Sequence, residues 1–473
     1  MSSPIIDTPI VIATRTGRSV STGSVATSPP PTWRAPVAVP VRRPQGLDVI
    51  LLAAVLSLVA FGVLMVYSAS AIYASRKFGS PNYFLFRELV YVGTGLVALW
   101  TATRVDYSTY RRWVYPLLIL SIGMLVGVLL VGARINGARR WFHFAGLSFQ
   151  PAELAKVSLV IYLAYSLAKK ADKVRLFKIG FLPHIAICGV MMLLLLKQPD
   201  LGTAVIMGLA TLLVMGIAGA KISYLFIALL SAAPVVYQAI VGTTWRMRRM
   251  LAYIDPWQYR RDVGYQVTES LISIGSGGVF GTGLGGSRQK LFFLPEAHTD
   301  YIMAIVGEEL GLVGIVAVLV VFAILIWRGA QAALRARDAF GCYLAFGITA
   351  MFGLQAMVNI GVVLGALPTK GLPLPFVSYG GSTLIVDLFA VGILLNVSAR
   401  QPAPQSDWSD EGAITRLRRH FANRRRRGKR VVIVNARATA PAEVEADEPE
   451  EGSELDAPPG HRSVDATTLD PQP

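Results

Sequence analysis

What most constrains this chain is a succession of apolar runs, each about 20 residues and therefore long enough to cross the hydrocarbon of a bilayer. They fall near 47–69, 85–104, 113–132, 151–168, 181–197, 201–219, 222–241, 301–327, 341–365 and 381–399. Only helices and closed barrels satisfy their backbone hydrogen bonds in lipid, so the runs predict an all-α integral membrane protein of ten transmembrane helices. The long stretch 242–300 then becomes a large external loop between helices 7 and 8. The composition agrees, with 53% hydrophobic and 16% charged residues and a mean hydropathy of +0.51. Residues 1–46 are rich in Ser, Thr, Pro and Arg and predict a disordered cytoplasmic arm. Residues 400–473, basic and then acidic, predict a disordered cytoplasmic tail. The first apolar run starts only after Arg42 and Arg43, so no cleavable signal peptide is expected and the run stays a span.

An even number of spans puts both termini on one side, and the basic residues choose which. Arg42, Arg43, the segment KKADKVRLFK at 169–178, Arg328, Arg335, Arg337 and the RRRRGKR run near 424–430 share that side. The positive-inside rule makes it the cytoplasm. The formal net charge of +16 thus points to anionic lipid and not to nucleic acid. Two outer segments are nonetheless basic. Arg134, Arg139 and Arg140 lie in 134–151, and Arg246, Arg248, Arg249, Arg260, Arg261, Arg288 and Lys290 lie in 242–300. Cations kept outside against the usual bias call for an anionic partner there.

Ionisable residues at membrane depth are costly and mark function or firm pairing. KLFFLPEAHTDYIMAIVGEELGLVG (290–314) places His298, Asp300, Glu308 and Glu309 where a polar loop enters a span. Asp300 stands at the outer mouth, suited to an N-cap or to a base in reach of water and substrate. Glu308 is eight residues on, about 12 Å deeper, and with Glu309 suits a buried hydrogen-bonded pair. QPAELAK (150–156) opens a helix with Pro151 and sets Glu153 and Lys156 on one face, either a self-satisfied ion pair at the helix start or, as expected here, a charged pair directed at a water-filled cavity. In KQPDLGT (197–203), Asp200 is expected to cap the next helix. GSGGVFGTGLGG (275–286) suits a flexible lid or a phosphate cradle. LPTKGLPLPFVSYGGST (367–383) carries three prolines and predicts a non-helical outer loop, with Lys370 and Ser378 available to an anionic head group. Gln355 and Asn359 are expected to bond between helices. Cys188 and Cys342 lie inside apolar runs and read as core residues, and the histidines show no metal-ligand spacing.

Taken in order, NGARRW (136–141), QPAELAK, KQPDLGT, the stretch 264–311 and LPTKGLPLPFVSYGGS resemble the SEDS proteins, the multi-span peptidoglycan polymerases of bacterial division and elongation. The resemblance covers residues 47–399. LPEAHTD (294–300) and PTKG (368–371) are closer to the division branch of the family, while Tyr301-Ile302-Met303 departs from its usual Phe-Ile-Phe. The resemblance implies a peptidoglycan glycosyltransferase that polymerises lipid II, the undecaprenyl-diphosphate-linked disaccharide-pentapeptide, at the outer face of the cytoplasmic membrane. It also implies a class B penicillin-binding protein as partner, other divisome membrane proteins nearby and a place at the division septum. The family's essential aspartate matches Asp300, its arginine Arg140 and its charged pair Glu153 with Lys156. Lys370, Ser378 and His298 join Arg140, Glu153 and Lys156 as expected substrate contacts, with Asp200, Glu308 and Glu309 in support. No resident metal site is legible, and a divalent cation such as Mg2+ is left open. The competing readings are a lipid II flippase or transporter, for which critical charges belong nearer the midplane, the elongation polymerase, and a scaffold in which Asp300 is dispensable.

Overall fold

Some helix ends are marked by caps that the sequence supplies, with Asp48, Asp200 and Asp338 each opening a helix through a side-chain bond to a backbone amide. Asp48 accepts a 3.0 Å bond from the Leu51 amide to open α1 (Val49–Phe78), which ends at Gly79 with φ 73°. The computed structural model describes residues 46–400 apart from 136, 145 and 146. Apart from their junctions with the helices, the expected arm and tail lie outside the described residues.

After α1 come α2 (Tyr83–Arg104), α3 (Tyr110–Val131), α4 (Pro151–Lys169), α5 (Leu182–Lys197), α6 (Leu201–Ile217) and α7 (Ile222–Val241). They are followed by α8 (Thr244–Ile254), α9 (Tyr265–Gly277), α10 (Ile302–Leu334), α11 (Ala339–Val363) and α12 (Ser382–Ala399). Among the described residues nine helices are long and apolar enough to cross a membrane, and α6, 17 residues long, completes the ten expected spans. The chain is a multi-pass, essentially all-α membrane protein. The centre is α12, packed against α2, α4, α10 and α11, with α4 enclosed beside it. At the edge α7 has no buried residue.

Two expectations about the outer face need correction. The segment expected as a loop at 134–151 contains a small antiparallel sheet, β1 (Ala133–Ile135), β2 (Ala138–Phe144) and β3 (Leu147–Phe149), in the order β1-β2-β3. The alternating side chains of ARRWFHF supply the period of two that a strand needs.

The second correction concerns 242–300, which is not a loop throughout. Helix α9 descends beside α10: the Ser273 hydroxyl donates to the Ala304 carbonyl at 3.0 Å and to Glu308 Oε2 at 3.0 Å. At that depth α10 is broken by Gly311, whose φ of 65° and ψ of −159° suit glycine alone. The break frees backbone groups, and the glycine-rich run satisfies them. Thr282 and Gly283 N–H donate to the Glu308 and Glu309 carbonyls at 2.9 and 3.0 Å, while Leu312 and Val313 N–H donate to Gly278 and Val279 at 3.0 and 3.1 Å. The run GSGGVFGTGLGG is therefore the tip of a re-entrant hairpin and not a lid or phosphate cradle. Although the tip itself is exposed, its backbone is satisfied by these hydrogen bonds to α10, which lets non-helical chain persist beside the helix. Val279, Phe280 and Leu284 project outward from the tip.

The hairpin also neutralises much of the outer charge. Glu308 accepts from Ser287 Oγ at 2.5 Å and from the Arg288 amide at 2.8 Å, and Glu309 accepts from Ser68 and, at 2.9 Å, from Lys290 Nζ. Arg248 pairs with Asp262 and Arg260 with Glu269. Other cations of the outer segments, Arg140, Arg246 and Arg249 among them, stand at the mouth of the molecule.

Candidate active site at the outer mouth

Four segments converge on Asp300: the strand β2, the α5–α6 turn, helix α8 and the 364–381 loop. Arg140, on β2, is pinned to the turn by donating from Nε to the Gln198 carbonyl at 3.0 Å and from Nη2 to the Pro199 carbonyl at 2.7 Å. Asp200 completes that turn as the cap of α6, accepting from the Thr203 amide at 3.1 Å and the Thr203 hydroxyl at 2.8 Å. The proline-rich loop is tied down by Asn359, whose Nδ2 donates to the carbonyls of Asp300 at 2.9 Å and Leu372 at 2.7 Å. As a result Lys370-Gly371 lies against the base candidate: a β-carbon on Gly371 would stand 2.9 Å from Asp300 Oδ2.

Asp300 is half-buried, and its carboxylate does not cap α10, which starts at Tyr301 without a side-chain cap. Burial, followed by Glu296, raises its pKa; Arg140 and Arg249 pull it down, Asp200 adds a small push, and the balance is about 7. Burial first, and then Arg246, Arg249 and Arg140 against Asp200, lower Lys370 to about 8. Asp300, Arg140, Asp200, Arg246, Arg249 and Lys370 therefore form one electrostatic neighbourhood. An acid held near neutrality among four cations is equipped to accept a proton while an anion is bound beside it.

The other expected contacts are placed elsewhere. Glu153 and Lys156 form a buried 2.7 Å ion pair on α4, alongside Asp387 of α12, outside the group of charges that set Asp300. Ser378 is buried, with its hydroxyl accepting from the Leu374 amide at 2.9 Å, so it shapes the loop. The His298 ring sits among Tyr73, Phe84 and Tyr379, with centroids at 5.8, 4.7 and 5.8 Å. Glu308 and Glu309 fasten the hairpin beneath. Among the described residues no three of His, Cys, Asp and Glu gather to hold a metal ion.

Arg246 and Arg249 were legible in the sequence only as loop charges, because nothing local says that α8 folds back over the mouth. Asp387 was missed entirely, although a lone acid within TLIVDLFAVG was a readable signal. Arg76, Lys77 and Arg87, at the outer ends of α1 and α2, were missed as well.

Comparison with known proteins identifies the relatives of this arrangement. Residues 49–402 match the family model FTSW_RODA_SPOVE, described as "Cell cycle protein". A "Probable peptidoglycan glycosyltransferase FtsW" of Geobacter sulfurreducens is 46% identical over 362 residues, 76% of this chain and 97% of the relative. "Stage V sporulation protein E" of Bacillus subtilis is 41% identical over 354 residues, 74% and 96% of the two chains. Among solved structures, a chain from "Structural coordination of polymerization and crosslinking by a peptidoglycan synthase complex" superposes with a TM-score of 0.63 at 30% identity, covering 75% of this chain and 98% of that one. The rod shape determining protein RodA of Thermus thermophilus gives 0.57 at 30% identity, over 75% and 97%. This chain belongs to the cell-cycle protein family that takes its name from FtsW, RodA and SpoVE.

Proposed function

We propose that the chain is a peptidoglycan glycosyltransferase that polymerises lipid II at the outer face of the cytoplasmic membrane during cell division. The observation that carries this reading is Asp300, an acid poised near neutrality at the outer mouth among Arg140, Arg246, Arg249 and Lys370. Relatives at 46% and 41% identity, named for FtsW and for sporulation stage V, support the division branch over elongation. Charges gathered at the mouth favour polymerisation over transport.

In this reading the 4-hydroxyl oxygen of the acceptor sugar attacks the anomeric carbon of the donor, and its proton passes to the Asp300 carboxylate. The bond from that carbon to the diphosphate oxygen breaks, and the electron pair leaves on the diphosphate. Arg140, Arg249 and Lys370 stabilise the developing charge, a task at which preorganised cations in a water-poor site excel. Attack from the opposite face turns an α-linked diphosphate into a β-1,4 linkage. Glu153 and Lys156 brace α4 against α12 through their buried pair beside Asp387, and His298 and Ser378 position the segments that flank the site. A divalent cation such as Mg2+ would travel with the substrate's phosphates; no step here is routed through it.

The proposal extends to cytoplasmic termini, to a septal location and to a class B penicillin-binding protein among the divisome partners. One of the similar solved chains comes from a complex described as coordinating polymerisation and crosslinking, which supports the partner. The test is to incubate the purified protein, with its partner, with labelled lipid II. Polymer is expected from the wild type, and Asp300→Asn lowers the rate by roughly 10²-fold or more, as loss of a general base does. Wild-type rates from the variant would remove Asp300 from the chemistry.

A further inference from the structure

The outer end of the molecule carries a second group of cations, on the far side of the 296–300 segment from Arg140. Helix α1 has 30 residues, about 45 Å at 1.5 Å per residue, against a hydrocarbon core of about 30 Å. Its last turns therefore stand at head-group level, with Arg76 and Lys77 exposed. Arg87 projects from the first turns of α2 beside them. None of the three is within ion-pair distance of a carboxylate among the described residues. Arg76 lies over the Phe292 ring at 4.7 Å and Arg87 over Tyr83 at 4.8 Å, while Lys77 Nζ donates to the Tyr73 hydroxyl at 2.7 Å. The acids in this region are otherwise engaged or enclosed: Glu296 accepts from the Thr299 hydroxyl at 2.9 Å, and Glu88 is buried behind Tyr379.

The rings beneath these cations adjoin as a shelf in which Phe78, Tyr83, His298 and Tyr379 are at least partly open and Phe84 is buried between them. Phe78 stacks on Tyr83 at 3.9 Å, Tyr83 meets Phe84 at 5.3 Å, and Phe84 meets both His298 and Tyr379. His298 is two residues from Asp300, so the two α-carbons are at most about 7 Å apart. The Tyr379 amide donates to the His298 carbonyl at 3.0 Å and locks the shelf to the loop that carries Lys370.

We infer that Arg76, Lys77 and Arg87 hold the diphosphate of the acceptor, with its sugars lying across the partly open rings of Tyr83, Tyr379 and His298 toward Asp300. This rests on the polymerase reading above. The bond-making chemistry itself demands two unequal phosphate sites. The donor's diphosphate is attached to the reacting carbon, so its cations must surround Asp300, as Arg140, Arg249 and Lys370 do. The acceptor keeps its diphosphate, and its reacting hydroxyl lies at the far end of a disaccharide, two sugar rings away. That diphosphate needs anchoring at a distance and no charge stabilisation. Cations at head-group level, joined to Asp300 by a shelf of rings that accepts sugar faces, meet this need. Outer-leaflet phospholipid head groups offer the same phosphate chemistry, so the test must tell the two apart.

Wild type, Arg76→Ala/Lys77→Ala/Arg87→Ala and the charge-keeping Arg76→Lys/Arg87→Lys are compared, each with the partner transpeptidase, in nanodiscs of zwitterionic and of anionic phospholipid. The readout is KM and kcat for lipid II. The triple alanine variant is expected to raise KM roughly tenfold in both kinds of disc, from about twofold for each of three charge contacts, with kcat within about twofold. The lysine variant is expected to stay near wild type. An unchanged KM, a loss confined to kcat, or a defect seen only in anionic discs would each overturn the assignment, the last by giving the cations to bulk phospholipid. If the wild type makes no polymer, the polymerase reading fails and not this refinement of it.

Discussion

Asp300 and Lys370 stand together at the mouth but are displaced from their ordinary values in opposite directions, and the site's expected pH response follows. With Asp300 raised to about 7, protons occupy it below that pH and it cannot serve as base; above it the carboxylate is free. With Lys370 lowered to about 8, its charge is lost as pH rises past that point. The expected kcat/KM profile for lipid II is therefore a narrow bell with limbs near these two values. Replacing Lys370 by Arg, which keeps its charge, flattens the alkaline limb and leaves the acid limb in place. A profile flat from pH 6 to 9 in the wild type would contradict both assignments. At this scale the sequence was informative wherever the cause was local. The Asp200 cap is close in the chain to the turn it closes and could be read directly, as could the acid before YIMAIVGEELG. His298 was legible as a polar residue near the mouth, but its direction was not, because it is set by Phe84 in a contact that only the fold creates.

Among the elements, the broken helix α10 and the hairpin seated in its break depend on closely fitted glycines, Gly277, Gly281 and Gly311 among them. Gly311 sits in a region of backbone conformation closed to side chains, and a β-carbon there would meet the Gly281 nitrogen and the Val279 oxygen at 2.5 Å. Gly311→Ala is expected to destabilise the protein by about 3 kcal/mol, combining backbone strain with displacement of the hairpin. Gly93→Ala serves as the comparison, since Gly93 is in α2 with open space around it and alanine is the better helix former. Thermal unfolding in a membrane mimetic should separate the two clearly, and equal melting temperatures would show that the break is not needed. The spans were legible because twenty apolar residues announce themselves. Helix α9 was not, because YQVTESLISIGSG mixes Ser, Thr and Gly with apolar residues. Its polar groups find partners on α10 and α11, such as the Val363 carbonyl at 2.8 Å from Ser270 Oγ, and that pairing is invisible along the chain.

For the molecule as a whole, the proposed topology puts the mouth outside and the Asp48–Arg328 ion pair, at 2.6 Å, at the opposite end. Single cysteines at Ser80, in the α1–α2 turn, and at Arg335, after α10, test this on intact cells, both positions being exposed. A membrane-impermeant maleimide is expected to label the first and spare the second until the cells are opened; the reverse pattern would put Asp300 out of reach of its substrate. The re-entrant hairpin adds a consequence for how the enzyme can be handled. Its tip turns Val279, Phe280 and Leu284 toward surrounding lipid, 55%, 83% and 57% exposed, and burying each in hydrocarbon stabilises by roughly 1.5–3 kcal/mol. The acyl chains thus press the hairpin into α10 from outside, and through Glu308 they brace the strut on which Asp300 stands. Solvent lipid is in this sense an extra structural layer of the protein, and a detergent that packs loosely around the tip is expected to leave every span intact while loosening Asp300.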